Sequence, residues 1–310
     1  TNAVLTRSDR VQVLDAALRQ GCSPRNYDVP DPSACAVGQY PLFNRPPLVV
    51  DLAVTGDWGD PYVLTIIDNH WKSKSGDESV NAPRRLAQAE HVARIVQERL
   101  DADPAAAVAV LGDLNDYLGS APLTALATQP EPDLEHLYDR LRPLDRYTYI
   151  FNGASQVLDH ILATPALAAN VGEVAPVRVN AEFPALLAPA ADDVRHASDH
   201  DPVVVRVVPG GTGWIAGNVG YGALDVELID AADRVVATAT SDMRGDVRLW
   251  NVAPGSYRVR VTAPPYVILP VADVAIPVVS GENRFVITAL HEASRSGFAA
   301  ALWTAMPAAP

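Results

Sequence analysis

The stretch "NAPRRLAQAEHVARIVQERLDADPAAAVAVLGDLND", residues 81–116, changes periodicity part-way along, and that change decides the fold. In its first half Leu86, Ala89, Val92, Ala93, Val96 and Leu100 recur at three- and four-residue spacing, the mark of an amphipathic helix with a charged outer face. After Asp103-Pro104 the pattern becomes a continuous apolar run that breaks at Gly112, as expected of a strand covered on both faces. Upstream, "PLVVDLAV" (47–54) and "YVLTIIDNHW" (62–71) are β-branched runs joined by Gly and Asp, which predicts antiparallel neighbours. Downstream, "SAPLTAL" opens another helix, "YTYIFN" and "SQVLDHILAT" are strand candidates, and a further strand covers 203–208. Residues 11–20 suit a short strand or one helical turn equally. Strands interleaved with a long helix make this part α/β.

The composition shifts at "VVPGGTGW" (207–214), a Pro and Gly hinge. Beyond it come short alternating strands separated by turn residues, a β-sandwich signature without any helix-length pattern. The expected organisation is an α/β domain over 1–208, a linker over 209–213, an all-β immunoglobulin-like sandwich over 214–290, and a tail over 291–310.

Of 310 residues 48% are hydrophobic and 20% charged, an ordinary globular balance for which disorder is not the default reading. No apolar run is long enough for a membrane span, and "TNAVLTRSDR" has neither the basic start nor the apolar core of a signal peptide. A net charge of −13 argues against a broad basic surface of the kind that holds nucleic acid nonspecifically. Lysine occurs only at Lys72 and Lys74, inside "NHWKSKSG". Cys22 and Cys35 flank a loop rich in Pro, Asp, Asn and Ser; a disulfide there predicts an exported protein, and the alternative is two free thiols.

Four polar clusters lie at strand ends or in strands: Asn69-His70, Asp113-x-Asn115, Asp159-His160 and Asp199-His200. Singly, each has a bland reading as a turn, a cap or a satisfied core group. Together they supply what phosphate ester hydrolysis needs: carboxylates for a divalent metal, a base for water, and donors for the pentacovalent transition state. Hard oxygen donors suit magnesium first, or manganese or calcium, rather than zinc. Alternation in "VLDHILA" turns Asp159 and Ile161 to one side and Leu158, His160 and Leu162 to the other, which makes His160 structural.

In "IIDNHWKSKSG", "VAVLGDLNDY", "YTYIFNGASQVLDHILAT" and "ASDHDPVVV" the chain resembles the endonuclease/exonuclease/phosphatase superfamily over about residues 1–208. The added features "FNRPPLVVDL", "NHWKSK" and "VRVNAEFP" look most like its secreted bacterial nucleases. The resemblance implies a four-layer α/β sandwich and a metal-dependent phosphodiesterase acting on DNA or RNA. It implies His200 as general base, Asp159 orienting its ring, Asp199 as metal ligand, and Asp113 and Asn115 positioning nucleophile or leaving group. His70 would bind or protonate the phosphate with Asn69 and Lys72. It also implies an earlier strand with an Asn and another with a metal-binding Glu. The chain opens on a segment similar to a mid-domain strand, so the four-layer sandwich is expected to be partial and to be completed by an N-terminal segment or a second chain.

Residues 213–290, with "TSDMRGDVRLWNVAPGSYRVRV", resemble the collagen-adhesin B-type and carboxypeptidase-regulatory-like family, which implies an extracellular or cell-surface spacer. Two alternatives stand beside the nuclease reading. One is a phosphomonoesterase or lipid phosphodiesterase of the same fold. The other is an adhesive or self-assembling protein, a homo-oligomer or filament, whose hydrolase domain is inactive scaffold.

Overall fold

A computed structural model describes residues 2–29, 34–56, 60–183, 195–209, 213–252, 255–262, 274–278, 281–287 and 303–306. The chain folds as two units that divide between Arg206 and Val207, within the last residues of the first unit's final strand.

The first unit contains, in chain order, β1 (Val11–Leu18), β2 (Cys22–Ser23), β3 (Tyr40–Pro41), β4 (Leu48–Val54), β5 (Tyr62–His70), α1 (Glu78–Ala102), β6 (Val108–Asp113), α2 (Ala121–Thr128), β7 (Glu135–His136), β8 (Tyr149–Phe151), β9 (Ala154–Gln156), β10 (Asp159–Ala163), α3 (Pro165–Ala168), β11 (Val171–Pro176) and β12 (Val203–Val207). The segment left open at 11–20 is a strand. A six-stranded sheet runs in the order β1-β4-β5-β6-β10-β7. β4 and β5 pair antiparallel, as their sequences predict, and β5 and β6 pair parallel, with α1 providing the crossover between them.

The helix α1 starts where the Asp77 side chain accepts a hydrogen bond from the Ser79 amide (2.9 Å). Glu78 in its first turn and Arg99 in its last complement the helix dipole. Ala89, Val92, Ala93, Val96 and Leu100 are buried against Ile67, Val108, Val110 and Leu162 of the sheet. The apolar stripe differs from expectation at its start. Leu86 is only half-buried, whereas Arg84, Arg85 and Gln88 are buried. A buried guanidinium is tolerated because it is paired: Arg85 Nε donates to Asp116 Oδ2 (2.9 Å), and its Nη2 is paired with Glu78 Oε2.

The second unit contains β13 (Gly213–Asn218), β14 (Asp225–Ile229), β15 (Val235–Thr240), β16 (Asp246–Val252), β17 (Gly255–Thr262), β18 (Val274–Val278), β19 (Gly281–Ile287) and β20 (Trp303–Met306). They form two four-stranded sheets, β16-β13-β19-β20 and β15-β14-β17-β18. Ile215, Val226, Leu228, Val247, Leu249 and Val259 from both sheets share one apolar cluster. The expected tail 291–310 is not wholly separate, because its residues 303–306 form β20, antiparallel to β19. The rest of that tail, and residues 210–212 of the expected linker, lie outside the described residues.

Candidate active site

The six-stranded sheet sorts its polar residues by alternation. On the face toward α1 lie Ile67, Asn69, Val108, Val110, His160 and Leu162, all buried. On the opposite face the pairing register places His70 beside Asp113 and Asp113 beside Asp159. One strand-end row thus collects two carboxylates and an imidazole on three adjacent strands. His70 Nε2 stands 3.6 Å from Asp113 Oδ2. Gly112 makes this approach feasible: its φ is +123°, and a Cβ there would lie 2.0 Å from the Asn69 carbonyl oxygen.

His200 arrives from a segment distant in sequence. Its backbone forms an isolated antiparallel bridge with Tyr149, and the Asp201 amide donates to the Thr148 carbonyl (2.7 Å). This brings His200 Nδ1 to 2.6 Å from Asp159 Oδ2. The Thr148 hydroxyl donates to the same oxygen at 2.7 Å, so the carboxylate is fixed from two sides. With Nδ1 turned to Asp159, Nε2 is the basic nitrogen.

Electrostatics reinforce that geometry. Burial alone lowers the His200 pKa, but the Asp159 hydrogen bond and the charges of Asp159, Asp113 and Asp199 outweigh it and raise the net value. Asp113 is pushed up to about 6, by burial first and the Asp159 charge second, against the opposing pull of His200 and Asn115. The His70 pKa is lowered, chiefly by burial and then by Arg45, which favours its neutral form. The row therefore holds a raised acid, a depressed histidine and a carboxylate-supported histidine within a few ångströms. Such perturbation marks functional sites more often than structural ones.

Asn115 joins the row by a route that strand alternation does not give. It adopts a left-handed conformation (φ +52°) just past β6, and its amide donates to Asp113 Oδ1 at 3.0 Å. Three other expected site residues are placed differently from His70 and Asp113. Asn69 does not face the site: it is buried on the α1 side, its Nδ2 donating to the Ile67 carbonyl (2.8 Å) and its Oδ1 accepting from Trp71 Nε1 (3.1 Å). A single residue step along β5 turned it away from His70. Lys72 Nζ donates to the carbonyls of Ser73 and Ser75 within its own loop, both at 3.3 Å, and no contact carries it to the row. Asp199 lies exposed at the bend before His200, and its charge acts on that ring.

The metal expected of Asp199 therefore lacks a complete donor set. Among the described residues, no group of three or more His, Cys, Asp or Glu is arranged to hold a metal ion.

Sequence reasoning missed the supports. Asp201, buried, accepts from the amides of Val179 (3.2 Å), Asn180 (2.8 Å) and Ala181 (3.0 Å) and pairs with Arg178 (3.1 Å). Asn180 Nδ2 in turn donates to the His200 carbonyl (2.6 Å). Asp201 stands next to His200 in the chain, but nothing local signals that its partners come from 178–181. On the opposite face His160 is structural, as alternation predicts. It is buried, with Nδ1 2.9 Å from His136 Nε2 and Nε2 2.9 Å from the Asp116 carbonyl. The predicted disulfide joins Cys22 and Cys35.

Residues 48–176 match the Endonuclease/Exonuclease/phosphatase family. The matched segment contains His70, Asp113, Asn115 and Asp159, and ends before His200. No curated protein matches the chain. Similar solved structures include D. rerio TDP2 complexed with single-strand DNA product (19% identity, 64% of this chain and 68% of that one, TM-score 0.39). The human Nocturnin catalytic domain with bound sulfate shares 16% identity over 53% of this chain and 51% of that one, with TM-score 0.35. A Bacteroides thetaiotaomicron mannosyl-6-phosphatase shares 18% over 66% and 69%, with TM-score 0.42. The chain thus spans half to just over two thirds of their lengths. Among the described residues no helix is long and apolar enough to cross a membrane.

Proposed function

We propose that this protein is a phosphodiester hydrolase whose general base is His200, acting on nucleic acid outside the cytosol. The observation that carries the reading is the 2.6 Å contact between His200 Nδ1 and Asp159 Oδ2, set beside the His70–Asp113 pair. In the reaction His200 Nε2 takes a proton from the attacking water, Asp159 stabilises the imidazolium that forms, and as the water oxygen bonds to phosphorus the P–O ester bond breaks and the leaving alkoxide takes a proton from solvent. Neutral His70, beside Asp113, is placed to donate to a phosphoryl oxygen. The Cys22–Cys35 disulfide supports an oxidising compartment, and the two-sheet second unit supports a role as extracellular spacer.

The divalent cation implied by the family resemblance, magnesium first, belongs to this proposal only as an added component, since among the described residues no group of three or more His, Cys, Asp or Glu is arranged to hold it. That same shortage favours the second reading, an extracellular scaffold without activity. One experiment separates them: hydrolysis of bis(p-nitrophenyl) phosphate, p-nitrophenyl phosphate and plasmid DNA, each with magnesium and with chelator. The diester and plasmid should be cleaved in preference to the monoester, and His200→Ala and Asp159→Asn should each lower the rate by about 10²- to 10⁴-fold. Full activity in His200→Ala, or none in the wild type, would refute the hydrolase reading.

A further inference from the structure

A row of aromatic rings leads outward from His200. The hairpin β8–β9 is closed by Asn152 and Gly153, both with positive φ (49° and 78°), a two-residue turn that fixes the register Tyr149↔Gln156 and Phe151↔Ala154. Strand alternation then puts Tyr149 and Phe151 on one face. The Tyr149 ring lies 4.7 Å from the His200 imidazole at 33°, and the Phe151 ring stacks beyond it at 6.2 Å and 18°. Exposure rises along the row: His200 and Tyr149 are partly covered, and Phe151 is 52% exposed.

We propose that Phe151, backed by Tyr149, is a stacking subsite for a nucleobase that flanks the scissile phosphate of a single-stranded nucleic acid. This names a substrate feature of the hydrolase reading and rests on that reading for the identity of the phosphate. The favoured ligand is planar. Near-parallel rings present a flat π-face that a purine or pyrimidine covers, whereas an acyl chain needs a groove. The exposed Phe151 ring carries no hydrogen-bonding group, so stacking on it tolerates any base. It also gives an acidic protein a way to hold nucleic acid locally, without the broad basic surface that its net charge of −13 argues against.

The test is isothermal titration calorimetry in chelator, with the oligomers checked by gel after each titration to confirm that none was cleaved. The probes are a deoxythymidine hexamer, a uridine hexamer, and a hexamer of abasic spacers with the same number of phosphates. The wild type should bind the base-bearing oligomers roughly five- to a hundred-fold more tightly than the abasic one. Phe151→Ala should remove that preference while leaving abasic binding unchanged, and Phe151→Trp should keep it. His200→Ala should retain the preference and lose hydrolysis. Equal or undetectable binding of the base-bearing and abasic oligomers to the wild type, or a preference that survives Phe151→Ala, overturns the subsite. Phe151-dependent binding without phosphodiester cleavage overturns the hydrolase reading and leaves the subsite standing.

Discussion

Two polar clusters sit back to back on the same sheet. On the α1 side, Asp116 is shared between Arg85 (2.9 Å) and Lys74 (3.3 Å), and Arg85 also holds Glu78. Burial raises the Asp116 pKa, but Arg85 and the Tyr117 amide more than compensate, and the net shift is downward. Beside it the Tyr138 amide donates to His136 Nδ1, so His136 carries its proton on Nε2 and passes a hydrogen bond to His160, which donates to the Asp116 carbonyl. Burial holds these histidines neutral, with pKa values of about 3 and about 4. On the other face Asp113 and Asp159 share the company of His70 and His200 but, among the described residues, no arginine or lysine within ion-pair reach, and Asp113 rises to about 6. Similar residue types are satisfied on one face and left in tension on the other. The unsatisfied face is where chemistry is available.

That contrast can be broken most forcefully on the satisfied side. Arg85→Met leaves the buried Asp116 to Lys74 alone and frees Glu78, and should cost about 3 kcal/mol. By calorimetry the first unit's melting transition should fall by roughly 10 °C.

The unsatisfied side should respond in the opposite sense. Asp113 has a folded pKa of about 6 against an ordinary value of 3.8, so folding takes up a proton between those values. Ionised Asp113 therefore destabilises the fold above about pH 6, and the penalty vanishes below about pH 4. Asp113→Asn should stabilise the protein at pH 8 by roughly 3 kcal/mol, the equivalent of that shift, and by nothing at pH 3.5. Thermal melts at the two pH values check it. A destabilised variant at pH 8 would mean that Asp113 is satisfied after all.

The smallest effect comes from the support of the dyad. Thr148→Val removes the hydroxyl from Asp159 Oδ2 and leaves His200 in place, so kcat should drop by less than ten-fold with KM unchanged. Steady-state kinetics on the diester distinguish this from a loss of substrate binding.

Much of the architecture was legible because periodicity is local. The helix, the apolar strand before Gly112 and the antiparallel pair all carry their signal within a few turns or strand steps. The row of His70, Asp113, Asp159 and His200 was legible as motifs, and alternation placed His160 on the correct face. Alternation read at Asn69 would have done the same, since one step from His70 reverses the face. Pairing across the chain was illegible. Neither the burial of Arg85 nor the grip of residues 178–181 on Asp201 leaves a local trace, because each depends on a partner at least 20 residues away. The left-handed Asn115 was hidden for a different reason: strand alternation does not apply beyond the last residue of β6.

Gly112 has a consequence for how this site could change over evolutionary time. Because a single added methyl would collide with the Asn69 carbonyl, the gap between β5 and β6 is gauged by bare main chain. Side chains at 70 and 113 are free to vary in chemistry while their mounts stay registered. Replacing Gly112 would therefore move both mounts at once, which no change confined to 70 or 113 does.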